Sequence, residues 1–310
     1  MGTTYTVKAV CRGTPAHTQE SLQDRIDAEL VRINKLMSTY DPESEISRFN
    51  GFSATSPFPV SEEMLLVVRS ARGLYESSGG LFDPTVGPLV DLWGFGTKNR
   101  RREPPPQEEI DRCRAVVGMN HLKEGPENTL AKDVAGLHLD LSAIAKGYGV
   151  DMVAELLGKE GYSDLMVEIG GEIVVRGKNQ ERKPWRLGVD SPVQIPGKRN
   201  LVRTLSLTDT GLATSGNYRN YFMYKGVRYT HVLNPKNGYP VPESVVSATV
   251  VSPTCMRADG AATAMMVLGA TEGLEWAENQ GDIEALVYVR SATGAISELM
   301  TPGMEKSIQY

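Results

Sequence analysis

The chain has 310 residues, 40% hydrophobic and 23% charged, which is enough apolar material for a sizeable core and fits one large domain or two smaller ones. A net charge of -5 with no long basic run argues against a nucleic-acid surface. Three cysteines, Cys11, Cys113 and Cys255, lie far apart without CxxC spacing, so neither a zinc site nor a disulfide framework is indicated, and no stretch approaches the roughly 20 apolar residues of a membrane helix.

The opening MGTTYT fits the M-G-x-x-x-[ST] acylation pattern, but YTVKAV alternates immediately afterwards and reads as a β-strand. Leu22, Ile26, Leu30, Ile33 and Met37 recur at helical spacing and predict an amphipathic helix of about four or five turns. STYDPESEISRFN is a loop of turn formers with a short helix near 45–49. A second long helix spans about 61–77, opened by Ser61 and closed by Ser77-Ser78-Gly79-Gly80. GLFDPTVGPLVDLWGFG (80–96) is neither a clean helix nor a clean strand. With Phe82, Trp93 and Phe95 it reads either as a wall for a flat ligand or as a loop packed under its own aromatics. Lys98, Arg100, Arg101 and Arg102 precede three prolines and read as an exposed loop rather than a phosphate track.

Residues 140–151, DLSAIAKGYGVD, predict a helix that starts near Ser142 and carries Lys146 close to its start. That end of a helix is partly positive and disfavours a cation by about 0.3–1 kcal/mol. Gly147 and Gly149 each cost a helix about 1 kcal/mol relative to Ala. A bound anion would offset both, because bare backbone, a helix start and a lysine together make a phosphate site.

Strand-rich segments follow at 164–177, 184–192, 202–216, 221–235 and 244–252, with a hairpin turning at Lys225-Gly226. A helix over about 256–268 precedes two last strands, IEALVYVRS and AISELM. Hairpin-joined strands interrupted by helices predict an α+β fold with largely antiparallel sheet, in one continuous catalytic unit over 1–310 that allows two lobes.

Three further stretches carry candidate chemistry. In ADGAATAMMVLG (258–269), Asp259 and Thr263 share a helix face; two hard oxygens there suit Mg²⁺, while Asp259 alone also reads as a plain N-cap. In THVLNPKNGYPV (230–241), His231 leaves a strand for a turn, where it either takes a proton in a cleft or simply faces solvent. In GLATSGNYRNYF (211–222), Thr214 and Ser215 either bond a ligand or make the turn. His17, His121 and His138 show no ligand-like spacing and read as structural or surface residues. No Gly-x-Gly-x-x-Gly opens a helix after a strand, and neither a Gly-x-Ser-x-Gly nor a Walker-type loop is present.

MGTTYTV, STYDPESEISRFN, GLFDPTVGPLVDLWGFG, DLSAIAKGYGVD, VEIGGE, ATSGNYRNYF, THVLNPKNGYPV and ADGAATAMMVLG, in that order and over nearly the whole chain, resemble the ApbE-type FAD:protein FMN transferases. The resemblance implies a T-fold-like α+β architecture of antiparallel sheets packed with helices. It implies a protein that binds FAD and Mg²⁺, cuts the pyrophosphate, and transfers FMN to a Thr or Ser of an acceptor flavoprotein subunit of a membrane redox complex, releasing AMP. By position within the matching motifs, Met1, Tyr40, Leu81, Phe82, Asp83, Asp140 and Lys146 would line the FAD site, with Glu172 and Thr214 as further polar groups. The Ala143 carbonyl, Asp259 and Thr263 would hold the metal, and His231 would be the base. Lys146 would face the pyrophosphate, and Gly147 and Gly149 would let backbone and cofactor approach closely. Some relatives carry an acidic residue directly before the threonine, where this chain has Ala262, a departure from a fuller carboxylate shell.

The same site with water as nucleophile would make an FAD pyrophosphatase, and without catalysis an FAD-binding protein. DTGLAT (209–214) has a likeness to the family's acceptor motif, although a strand-to-turn segment explains it as well. The resemblance implies an exported protein at the periplasmic face of the bacterial inner membrane, tethered by a lipid anchor, its leader lying outside these residues; a cytoplasmic relative is the alternative.

Overall fold

The helix caps that the sequence advertises set the first third of the chain, in a computed structural model that describes residues 2–13, 17–96, 101–190, 201–217, 220–242 and 244–309. After β1 (Tyr5–Ala9), the Thr18 hydroxyl accepts from Ser21 N–H and opens α1 (Gln19–Met37), which buries Ile26, Ile33 and Met37 at the predicted spacing. Ser44 and Ser61 cap α2 (Glu45–Gly51) and α3 (Glu62–Ser77) in the same way, with the short β2 (Phe58–Pro59) between them. The 80–96 segment contains one short helix, α4 (Gly87–Leu92).

Between there and residue 140 lie elements that periodicity did not reveal: α5 (Gln107–Arg114), then the hairpin of β3 (Leu122–Gly125) and β4 (Thr129–Lys132), which turns through Glu127 and Asn128 at φ 53° and 55°. Next come α6 (Ser142–Lys159), β5 (Leu165–Ile169), β6 (Glu172–Arg176), β7 (Trp185–Asp190), β8 (Leu201–Leu207) and β9 (Thr210–Gly216). The hairpin of β10 (Tyr221–Tyr224) and β11 (Val227–Thr230) turns at Lys225-Gly226, as the sequence predicts. The chain ends with β12 (Val245–Ser252), α7 (Cys255–Leu268), α8 (Ala270–Gln280), β13 (Glu284–Arg290), β14 (Ile296–Met300), α9 (Pro302–Ser307) and β15 (Ile308–Gln309).

Seven strands form one sheet in the order β1-β5-β6-β9-β12-β13-β14, and every pairing within it is antiparallel. Side chains alternate between its two faces, so Val167, Ile169 and Val174 pack toward the helices while Met166 and Val175 pack toward the small sheet β15-β8-β7. Every residue of the central β12 is buried. The result is the α+β arrangement that the sequence predicts, with a helical layer on one face of the main sheet and a second sheet on the other.

In the helical layer, α6 and α7 meet backbone to backbone. A Cβ on Gly147 would lie 2.3 Å from the Cys255 carbonyl oxygen and 2.7 Å from the Met256 Cα. This corrects the expected role of Gly147, which makes room for a neighbouring helix rather than for a cofactor; Gly149 is likewise buried within α6. Two carboxylates lock the contact in opposite directions. Asp151 of α6 accepts from the Cys255 and Met256 amides (3.0 and 2.8 Å), and Asp259 of α7 accepts from the Gly147 amide (2.9 Å). Asp151 thereby satisfies two first-turn donors of α7 that have no acceptor within the helix.

Candidate active site

The start of α6, one face of α7, the β5–β6 turn, the end of β9, the turn after β11 and the 81–96 segment enclose a cavity of about 720 Å³. That is within the usual small-molecule range of roughly 300–1,000 Å³. Tyr40, Leu81, Phe82, Asp83, Asp140, Ala143, Lys146, Glu172, Thr214, His231, Asp259 and Thr263 all line it, although they come from distant parts of the chain. Met1 lies outside the described residues, as do Lys98 and Arg100 of the basic cluster. A larger hollow of about 1660 Å³ runs along β1 and α1, but it contains none of these groups.

One side of the cavity is a charged seam. Lys146, the fifth residue of α6, places Nζ 2.5 Å from Glu172 Oε1 and 3.8 Å from Asp259 Oδ1. Both carboxylates are only 3% exposed, and Glu172 Oε2 has no hydrogen-bond partner. Burial pushes both acids above the ordinary carboxylate range, with the Lys146 ammonium pulling them back. Burial also disfavours the ammonium, but Asp259 and Glu172 outweigh it and hold the lysine above its ordinary value. The unfavourable placement of Lys146 is thus offset within the chain. The α6 start is less bare than expected too, since Ser142 N–H donates to Asp140 and the Ile144 and Ala145 amides donate to the Leu141 carbonyl. Asp259 is no N-cap; α7 is capped by Thr254, whose hydroxyl accepts from Arg257 N–H at 3.2 Å. One turn on, Thr263 Oγ1 is 3.1 Å from Ser215 Oγ.

The opposite side is an aromatic wall. Phe95 is partly buried, and Trp93 is wholly buried in the same cluster, with Nε1 donating to the Gly238 carbonyl (2.8 Å) and the indole stacked on Tyr229 at 5.5 Å, whereas Phe82 lines the cavity from the core that α6 and α7 share. Trp93 therefore supports the wall without lining the cavity. Asp83 accepts from the Thr85 amide and hydroxyl (2.8 and 2.6 Å); burial pushes it up to about 6 against the pull of those two bonds. Tyr40 stands at the lip, 78% exposed. His231 sits edge-on to Phe95 and donates Nδ1–H to the Asn220 carbonyl (3.1 Å), because a carbonyl can only accept. Its Nε2 is left as an acceptor, and burial lowers its pKa below the ordinary histidine value.

The model of the ApbE family matches residues 1–287. The chain is 44% identical over 295 residues to the FAD:protein FMN transferase of Vibrio cholerae, covering 95% of this chain and 86% of that protein. It is 37% identical to the Escherichia coli protein of the same name, covering 91% and 80%. The solved structure of the flavin transferase ApbE from Vibrio cholerae superposes with a TM-score of 0.90 at 41% identity, over 99% of this chain and 96% of that one. The apo form of the Pseudomonas stutzeri flavinyl transferase ApbE gives 0.88 at 37% identity, over 99% and 94%. The chain belongs to the ApbE family.

As an ApbE-family transferase it shares its relatives' fold, and its own contacts add residues that the sequence motifs did not single out. Asn50 exchanges two 2.8 Å hydrogen bonds with the backbone of Leu139, and buried Lys132 donates to the carbonyls of Phe49, Asn50 and Leu137, so that α2 is tied to the segment leading into Asp140. Asn220 orients His231, Asp151 clamps α7, and His138, expected to be structural, lines the cavity. No local pattern announces these pairings, since their partners are remote in sequence. Thr214 Oγ1 lies 2.9 Å from Thr249 Oγ1 across the β9–β12 pair, so DTGLAT is accounted for as the entry into a paired strand. Among the described residues, no group of three or more His, Cys, Asp or Glu side chains is placed to hold a metal. A cation here would therefore take a mixed set of carboxylate, hydroxyl and carbonyl oxygens.

Proposed function

We propose that this chain is a Mg²⁺-dependent FAD:protein FMN transferase, which cleaves FAD, attaches FMN to a Thr or Ser hydroxyl of an acceptor flavoprotein, and releases AMP. The observation that carries this reading is the meeting of Lys146, Asp259, Thr263 and His231 in one cavity of an ApbE-family chain. The donor set suits a hard cation. Glu172, Asp259 and Lys146 sum to one negative charge, and the Gly147 amide, whose regular helical acceptor is the Ala143 carbonyl, donates to Asp259. Asp259, Thr263 and the Ala143 carbonyl would hold Mg²⁺, which when bound offsets charge on phosphoryl oxygens.

The chain's own residues supply the rest. Lys146 binds the phosphate oxygens from the α6 side, while Phe82, Val90 and Phe95 offer a flat ring an apolar surface and exclude water. His231 Nε2 takes the acceptor hydroxyl's proton, because Nδ1–H is committed to Asn220 and the lowered pKa keeps the ring neutral near pH 7. The hydroxyl oxygen then bonds to the FMN phosphorus as the bond from that phosphorus to the bridging oxygen breaks, and AMP leaves with that oxygen. The family resemblance further supports acceptors in membrane redox complexes at the periplasmic face of the inner membrane.

Chromatography and mass spectrometry after incubation with FAD and Mg²⁺, with and without an acceptor domain carrying a flavinylation threonine, test the reading. The expected result is an acceptor heavier by FMN together with free AMP, lost in Asp259→Ala, which retains FAD binding. Free FMN irrespective of acceptor makes the chain a pyrophosphatase, and intact bound FAD makes it a binding protein.

A further inference from the structure

Lys146 stands between two buried carboxylates and is not shared equally. Its Nζ touches Glu172 Oε1 at 2.5 Å, whereas Asp259 Oδ1 is 3.8 Å away, beyond hydrogen-bond distance. The other Asp259 oxygen already accepts from Gly147 N–H, so Oδ1 is the one that remains for a cation. An ammonium seated directly on Oδ1 would compete with that cation, since like charges a few ångströms apart repel strongly in a buried site. Glu172 is well placed to prevent this. It opens β6, which is paired with β5 on one side and β9 on the other, and it follows the Gly170-Gly171 turn, whose φ values of 64° and 107° only glycine adopts easily. Its carboxylate is 3% exposed, and Oε2 has no partner.

We infer that Glu172 is a positioning residue that anchors Lys146 away from Asp259 and so keeps the Asp259 carboxylate open to the divalent cation. The inference rests on the metal reading above, but it concerns a residue that is not itself a ligand. It makes a conditional prediction, because the loss of Glu172 weakens metal binding only while a lysine is present to fall back onto Asp259.

A double-mutant cycle on the full chain tests this, with Mn²⁺ as the probe and free Mn²⁺ followed by electron paramagnetic resonance, and with thermal melts reporting whether each variant folds. Glu172→Gln is expected to weaken Mn²⁺ binding about tenfold or more in the Lys146 background, and less than about threefold in the Lys146→Met background. An equal loss in both backgrounds would reduce Glu172 to a charge near the metal and overturn the positioning role, as would no loss in either. Should Glu172→Gln fail to fold, Glu172→Asp, which keeps the charge but draws it back by one methylene, runs the same cycle with the same conditional loss expected. A wild-type chain that binds no Mn²⁺ would remove the metal reading itself, an outcome distinct from an unchanged Glu172 variant.

Discussion

The two sides of the cavity are built by opposite means. The α6–α7 seam is made of backbone contact and paired charge, with Gly147 against Cys255 and with Asp151, Asp259 and Glu172 each holding a donor. The facing wall is made of stacked rings, with Phe222 on Tyr229 at 5.2 Å and 16°, Trp93 beneath, and Phe95 above Phe222 at 5.7 Å. A seam fixes the position of charge to a fraction of an ångström and tolerates no added atom. A wall fixes shape and area, and a change in one ring is shared among several neighbours.

The largest expected effect lies in the seam. Gly147→Ala would force a methyl against backbone atoms that cannot rotate aside, and a destabilisation of about 3 kcal/mol or more is expected. A thermal melt unchanged from wild type would break the close-contact account. Next comes His231, the proposed base: His231→Ala should lower kcat about a hundredfold or more with KM for FAD little changed. Because burial depresses the His231 pKa, the acidic limb of the kcat profile should fall below the ordinary histidine value near 6.5. A limb that survives unmoved in His231→Ala would remove the residue as base. Behind the wall, Trp93→Phe should cost about 2 kcal/mol, leaving the Gly238 carbonyl unpaired, with FAD affinity in the folded protein nearly unchanged. A marked loss of affinity at full stability would instead place the indole in the site.

The most gradual effect, spread over about two pH units, belongs to Asp83, whose neighbour Pro84 accepts from the Asp140 amide and so joins wall to seam. Its folded pKa, near 6, lies above the unfolded carboxylate value near 3.9, so between those values the native state binds more protons than the unfolded one. Stability from this group is therefore complete below about pH 4 and declines as pH rises to about 6, by at most about 3 kcal/mol. Asp83→Asn, uncharged throughout, should remove that decline in urea titrations across the window. An unaltered slope would show that some other group causes it.

What the sequence disclosed divides along the same line as the cavity. Helix α1 is legible from its local apolar spacing, α3 from its Ser61 cap, and the β10–β11 turn from Lys225-Gly226. Helix α5 buries only Ile110, and α8 follows α7 with a single Gly269 between them, so neither shows the spacing or the break that would mark it. Segments 164–177 and 202–216 each read as one strand-rich stretch, but the first folds back at Gly170-Gly171 and the second passes from the small sheet to the main one at the Asp209 turn. In the site, residue types were readable and their partners were not. Lys146 looked like an anion site because its two carboxylates lie in other elements, and the glycine beside it looked like cofactor clearance because Cys255 is remote in sequence. Pairing across a fold is fixed by tertiary packing, which no local window contains.

The bond from Gly147 to Asp259 joins residues 112 positions apart, and the return clamp from Asp151 reaches Cys255 across 104. Contacts of such range form late, because the loop between them must be ordered before they repay its closure. During synthesis, Lys146 and Glu172 emerge well before α7 does. A chain that ends before α7 has no Asp259 or Thr263 to complete the pocket. Chemical competence is therefore tied to completion of the polypeptide, and a fragment ending before α7 should be inert toward the dinucleotide even where its wall has folded.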